Sequence, residues 1–336
     1  MNPLCWPSRL AAACAAALAL VAAGCGSPQQ AAAPEAAAQM RVFAADNGEI
    51  TIPVAPQRIV ATGYAVPALI EAGAPIVGIS SWQRGIPLMT PEDKVTYDRL
   101  DKVAGELATE TDYEAIALAD PDLIVIGVPA PILADVDVER LKSVAPVVGI
   151  GPTIPSEWRE VSRKQADAAG VLPAFDALRG EYEVRAAELR EKYAPVIGQL
   201  KFAHVGSYGQ VTNGTFQREF DRSWGTNVLN DVGAKYYGQV SEPGPGSRAV
   251  SEYPSLEEIP DAFRKADVIT YSVDPDGSAK EAVQQVLDSP LWPILPAVRE
   301  GRTIPIRYTE AATYQGAMRT LEAVDEALAP LLSSPS

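Results

Sequence analysis

Residues 58–80 read RIVATGYAVPALIEAGAPIVGIS, and the reading of this stretch decides the fold. Arg58-Ile59-Val60-Ala61-Thr62 is a short apolar, partly β-branched run and predicts a strand. Val66 to Ala72 follows as a helix, with Pro67 near its start and Gly73 just past its end, the asymmetry that helix termini favour. Pro75 to Ile79 predicts the next strand. Strands that are apolar on both faces and joined by a helix form a βαβ unit, which needs a parallel sheet covered by helices on both sides.

The same alternation continues outward. Helical patterns at Tyr113 to Ala119 and Glu139 to Val144 precede apolar runs at Leu123 to Ile126 and Val147 to Ile150. From Pro173 to Lys192 the chain changes character: Phe175, Leu178, Tyr182, Ala186, Leu189 and Tyr193 recur at three- and four-residue steps within a charged segment, which predicts one long helix. Beyond it come a strand at Lys201 to Val205, helices at Trp224 to Val232 and Leu256 to Phe263, a strand at Val268 to Tyr271, a helix at Ala279 to Leu287, a strand at Thr303 to Ile306 and a closing helix at Ala311 to Leu332. Residues 114–126 (EAIALADPDLIVI) and 257–271 (EEIPDAFRKADVITY) echo one another. The expected fold is α/β, with two Rossmann-like lobes built on parallel sheets and joined by one long α-helix. The lobes span 41–172 and 196–336, and the connecting helix 173–195.

The N-terminus has a different composition. Arg9 and the apolar run Leu10 to Ala23 suit a secretory signal and are too short to span a bilayer. The run closes on Ala22-Ala23-Gly24 before Cys25, which resembles the lipobox of a lipoprotein signal peptide, so 1–24 is expected to be removed and Cys25 lipidated. Cys5 and Cys14 lie in the discarded part, which leaves one mature thiol. Residues 25–40, rich in Ala, Pro and Gln, are expected to form a flexible tether. Only Arg9 among the charged residues would leave with the signal, taking the formal charge from −15 to −16. An acidic balance of this size disfavours nucleic acid and anionic lipid as partners, both of which select basic patches.

No catalytic signature stands out. There is no Gly-x-Ser-x-Gly elbow, Walker loop, His-Glu-x-x-His, Cys-x-x-Cys or dinucleotide fingerprint. The single histidine, His204, falls inside an apolar strand and is expected to be structural. Capture of a bare transition metal generally needs several imidazole or thiolate ligands, and this chain has one histidine and one mature cysteine, so any metal is expected to arrive chelated.

Open parallel sheets bind ligands at the carboxyl ends of their strands. That rule collects Tyr64, Trp82 and Arg84 from the first lobe and Tyr208, Arg307 and Tyr308 from the second. Aromatic faces and guanidinium groups at these points suit a large, flat or aromatic ligand carrying negative charge.

The stretches at 58–80, 112–127 (DYEAIALADPDLIVIG), 255–271 and 291–306 together resemble substrate-binding lipoproteins of ABC importers, the class that carries ferric siderophores, haem and cobalamin, and the acidic, alanine-rich chain is similar to actinobacterial members. The resemblance implies limited closure of the lobes on the ligand, no catalysis, no cofactor, a monomer at the outer face of the cytoplasmic membrane, and docking of one glutamate from each lobe on arginines of an ABC permease. By position these are Glu114 and Glu257. Thr111-Asp112-Tyr113-Glu114 also fits a capping box, a structural alternative for Glu114, whereas Ser255 and Glu258 form the box in the second lobe and leave Glu257 free. Three functions follow: a carrier of a ferric siderophore; a haem carrier, for which Tyr64, Tyr208 or Tyr308 would be the axial ligand; and, from a different class, an envelope hydrolase or interaction scaffold on the same fold.

Overall fold

The computed structural model describes residues 39–208 and 214–333; Cys25, the signal segment and most of the expected tether lie outside them. The first elements are strands β1 (Met40–Ala45) and β2 (Gly48–Pro53), which pair antiparallel as a hairpin. Met40, assigned to the tether by composition, is therefore the first residue of a strand. The turn Asp46-Asn47-Gly48 suits such a hairpin because Gly48 takes a positive φ of 112°. Asn47 docks it by hydrogen bonds with Val147 O (3.0 Å) and Gly149 N (2.8 Å).

The first lobe has five strands, β3 (Ile59–Gly63), β4 (Ile76–Ser80), β5 (Lys102–Ala104), β6 (Leu123–Gly127) and β7 (Val147–Gly149), in the order β5-β4-β3-β6-β7 and all parallel. Its helices are α1 (Ala65–Glu71), α2 (Pro91–Arg99), α3 (Tyr113–Leu118), α4 (Ala130–Leu133), α5 (Val138–Lys142) and α6 (Trp158–Ala168). Every residue of β6 is buried, as a strand covered on both faces requires.

Helix α7 (Leu172–Ile197) runs to the second lobe. It buries Phe175, Tyr182, Ala186, Leu189, Tyr193 and Ile197, and these join a single apolar cluster that includes Trp158 from the first lobe and Phe202 and Trp224 from the second. Burying a large apolar side chain is worth about 1.5–3 kcal/mol. A polar clamp adds to this junction: Arg159 on α6 pairs with Asp231 on α8 (Asn227–Val232), and the Tyr182 hydroxyl donates to the same carboxylate at 2.6 Å.

The second lobe comprises β8 (Lys201–Gly206), β9 (Gln217–Glu219), β10 (Lys235–Tyr236), β11 (Ser251–Glu252), β12 (Val268–Val273) and β13 (Thr303–Arg307), with α8, α9 (Ile259–Phe263), α10 (Glu281–Leu287), α11 (Pro296–Arg299) and α12 (Tyr314–Ser333). Strands β8, β12 and β13 are parallel, but β9 runs antiparallel to β8 and to the edge strand β11, so this sheet is mixed. Gln-Arg-Glu in β9 has no apolar alternation to mark it as a strand; its Gln217 and Glu219 are nonetheless buried. Two expected helices also differ. The 256–263 segment is a 3-10 turn at Leu256–Glu258 followed by α9, which restarts near Pro260, a residue without an N–H to continue the earlier turn. The segment begun at Trp224 becomes helical only at Asn227, which leaves Trp224 in a turn facing the first lobe.

Candidate functional site

Strand ends build the site. Gly63 closes β3 with φ +60°, where an added Cβ would lie 2.5 Å from Gly127 O; only glycine permits this approach, and it lets Tyr64 N donate to Gly127 O at 2.8 Å. Trp82 follows β4 and is fixed by a hydrogen bond from its backbone N to the Tyr97 hydroxyl, 2.9 Å. From the other lobe Tyr208 follows β8, its N donating to Gln217 Oε1 at 2.7 Å. Trp224 is held by the turn before α8, where Gly225 passes so close to His204 that a Cβ would lie 2.0 Å from Nε2.

These four rings converge. Tyr64 lies parallel to Trp224 (centroids 6.0 Å apart, 5° between planes), Trp82 meets Tyr64 edge-on at 5.0 Å, and Tyr208 meets Trp224 edge-on at 5.7 Å. The Arg84 guanidinium lies 4.1 Å from the Trp82 ring centre and 4.7 Å from that of Tyr64, and its Nη1 donates to the Tyr208 hydroxyl at 3.2 Å. The pocket they line encloses a cavity of about 40 Å³. Burial, reinforced by the neighbouring Tyr208, holds the Tyr64 phenol above its ordinary pKa although Arg84 pulls the other way.

The rest of the wall is largely apolar, with Ile70, Leu88 and Met89 among its residues, and includes three carboxylates. Glu71, the last residue of α1, accepts a hydrogen bond from Gln315 N at 2.7 Å in the first turn of α12. Burial pushes its carboxyl up to about 8, and the charge of Asp93 acts in the same direction. Asp93 is also raised by burial, and its carboxylate accepts from Thr90 Oγ1 at 2.8 Å. Glu310 pairs with Lys280 at 3.0 Å. None of the three carries a motif: Glu71 and Asp93 read simply as helical residues.

The structure thus brings Tyr64, Trp82, Arg84 and Tyr208 together and adds Trp224, which sequence reasoning placed in a helix; Ser223-Trp224-Gly225-Thr226, with turn-forming residues, was the available signal. Tyr308, at φ +62°, lines an adjoining recess with Arg84 and Ser207, and its hydroxyl accepts from Arg319 Nη2 at 3.1 Å. Arg307 points elsewhere. It forms an ion pair with Glu326 and lines a separate groove between β13 and α12, so Arg84 is the arginine lining the aromatic pocket.

Glu114 and Glu257 are both exposed in first helical turns. The expected capping box at Thr111 does not form. Asp112 is the cap, accepting from Glu114 N (3.1 Å) and Ala115 N (3.0 Å), so the Glu114 carboxylate is not used there. The box at Ser255 and Glu258 does form.

His204 is fully buried between Thr270 Oγ1 (2.7 Å from Nδ1) and Ser272 Oγ (3.0 Å from Nε2). This resembles half of a nucleophile–base pair, but burial pushes the imidazole down to about 3 and a hydroxyl, not a carboxylate, faces Nδ1. Such a ring is a poor base near neutral pH. Glu219 stands 3.9 Å from Nε2 and burial raises it to about 8, so desolvation disfavours the charged form of both groups. Among the described residues no group of three or more His, Cys, Asp or Glu could hold a metal ion, and no helix is long and apolar enough to cross a membrane.

Residues 59–308 match the family model described as periplasmic binding protein. The chain belongs to the periplasmic binding protein family. The family is a class of extracytoplasmic substrate-binding proteins. The chain is 27% identical over 266 residues, 79% of its length and 77% of the relative's, to the iron(3+)-hydroxamate-binding protein YxeB of Bacillus subtilis (strain 168). It is 30% identical to the siderophore periplasmic binding protein from the fuscachelin gene cluster of Thermobifida fusca, with a TM-score of 0.66 over 82% of this chain and 97% of that one. Staphylococcus aureus SirA, solved in complex with staphyloferrin B, shares the fold at 20% identity, with a TM-score of 0.66 over 86% of this chain and 98% of that one.

Proposed function

We propose that this periplasmic binding protein captures a ferric siderophore between its lobes and delivers it to an ABC importer, held at the outer face of the membrane by acyl chains on Cys25. The observation that carries the reading is the meeting of two aromatic residues from each lobe, Tyr64 and Trp82 with Tyr208 and Trp224, around Arg84 at the strand ends. Iron would enter inside an organic chelate. Relatives named for iron hydroxamate and siderophore binding support the ligand class. Haem is less well supported. Burial opposes the phenolate that Tyr64 would need as an axial ligand. Two acyl chains anchor a protein stably where one does not, which would confine the loaded carrier near its permease. Glu114 and Glu257, exposed on separate lobes, are the proposed docking points.

Titration of purified protein with ferric hydroxamate siderophores and with haem tests the reading. Fluorescence of Trp82 and Trp224 is expected to be quenched to saturation at one equivalent of a ferric siderophore. A Soret shift saturating at one equivalent of haem, with no siderophore-dependent quenching, would overturn it.

A further inference from the structure

Arg319, in the second turn of α12, directs its guanidinium at main-chain oxygens of the other lobe. Its Nη1 donates to Pro87 O at 2.9 Å and to Met89 O at 2.8 Å. These carbonyls lie at the end of the 3-10 turn Gln83–Leu88. Oxygens at a helix end have no partner inside the helix, and a basic side chain can satisfy them. The same turn carries Arg84, whose guanidinium stands over the Trp82 and Tyr64 rings and reaches the Tyr208 hydroxyl. Gly316, three residues before Arg319 and on the same side of α12, borders the aromatic pocket together with Leu88 of that turn.

Arg319 is itself held in place. Tyr308 takes a left-handed φ of +62°, a costly conformation for a bulky side chain that persists only where the surroundings impose it. Thr320, the residue after Arg319, donates from Oγ1 to Tyr308 O at 2.6 Å. The Tyr308 hydroxyl accepts from Arg319 Nη2 at 3.1 Å, and the guanidinium lies 4.3 Å from the centre of its ring, a cation–π arrangement. The strained tyrosine is thus a platform that aims Arg319 at the first lobe.

We propose that Arg319 is a positioning residue for ligand capture: held on Tyr308, it fixes from the second lobe the turn that carries Arg84, and so sets where the guanidinium of the aromatic pocket stands. This role rests on the ferric-siderophore reading above for the ligand that Arg84 meets. Tyr308 acts through Arg319 rather than through its own contact with the chelate. A turn fixed before the ligand arrives loses less freedom on binding, and affinity gains by that difference. Without Arg319 the two carbonyls are released and Arg84 must be ordered by the ligand itself.

The test is a double-mutant cycle read by calorimetric titration with a linear ferric trihydroxamate, using wild-type protein, Arg319→Met, Arg84→Met and the double variant. Methionine keeps an unbranched stem and a good helix propensity while removing the donors, and Arg319 is only half-buried. Arg319→Met is expected to weaken binding about fivefold in the wild-type background and less than about twofold beside Arg84→Met, because an effect that runs through Arg84 disappears with it. Equal loss in both backgrounds, as a general loosening of the fold would give, overturns the proposal. Unchanged affinity in the wild-type background does the same. A second readout needs no ligand: the Gly85 and Met89 amides, bonded within the turn to Trp82 O and Ile86 O, should exchange about fivefold faster in Arg319→Met. Unchanged exchange overturns the proposal whatever the ligand. Failure of the wild-type protein to bind the chelate overturns the ferric-siderophore reading, and the exchange measurement then decides by itself whether Arg319 positions the turn.

Discussion

The Arg84 guanidinium of the first lobe donates to the Tyr208 hydroxyl of the second at 3.2 Å, one of the hydrogen bonds, with that from Gln315 N to Glu71, that tie the two sides of the aromatic pocket. Tyr208→Phe removes the first of these and keeps the ring. A hydrogen bond of this kind contributes about 0.5–1.5 kcal/mol, so amide exchange in the loops after β4 and β8 should rise several-fold without ligand, with Tm changed by no more than a few degrees. Unchanged exchange in both loops would show that the bond does not restrain the lobes.

The clamp behind the pocket is stronger. Asp231 receives both Arg159 and the Tyr182 hydroxyl and is only partly exposed. Asp231→Ala leaves the guanidinium without its counter-charge at the α6–α7–α8 junction, at an expected cost of about 2 kcal/mol, between the values for exposed and buried pairs. Denaturant unfolding measures it; a loss below about 0.5 kcal/mol would place the pair among ordinary surface contacts.

Stability should fall as pH rises through neutrality. Burial raises Glu71 and Glu219 to about 8 in the folded protein, while unfolded glutamate titrates near 4.3. Their contribution is complete below the unfolded value and is lost as pH rises through the folded one. His204, held down to about 3, acts oppositely, its contribution growing up to the unfolded imidazole value of about 6.5. The steepest loss is therefore expected between about pH 6.5 and 8. Thermal unfolding across this range should show it, and Glu219→Gln should roughly halve the slope; a wild-type Tm that rises over the same interval would contradict the assignment.

Docking separates from capture. Glu114→Arg and Glu257→Arg alter exposed side chains that do not line the aromatic pocket, so quenching titrations should give unchanged ligand affinity. Uptake in cells lacking other carriers should fall markedly in each and further in the double variant. Wild-type uptake in the double variant would remove these glutamates from the interface. Glu252, in β11 of the same lobe as Glu257, is engaged with Arg218 at 3.3 Å and serves as a control whose loss should affect stability first.

The βαβ reading of 58–80 and the long helix were legible because both depend on local periodicity: a buried parallel strand must be apolar on both faces, and a helix packed along one side repeats at 3.6 residues. The hairpin at the start was less so. Its alternation spans few residues, and the Asp46-Asn47-Gly48 turn was its strongest sign. The β9 strand was not legible because its buried positions are the polar Gln217 and Glu219, whose burial is satisfied by hydrogen bonds from Tyr208 N and Gly225 N (2.5 Å) that no apolar alternation marks.

The amino-acid order by itself determined the α/β alternation, the two lobes and the strand ends where Tyr64, Trp82, Arg84 and Tyr208 had to lie, since backbone hydrogen bonding and burial act residue by residue along each element. Tertiary structure decided which of those ends face one another. It turned Arg307 to Glu326, brought Trp224 against Tyr64, and set Glu71 beside the start of α12. These pairings join residues up to 244 positions apart, and contacts at that distance follow from how the sheets and helices pack, which no local pattern records.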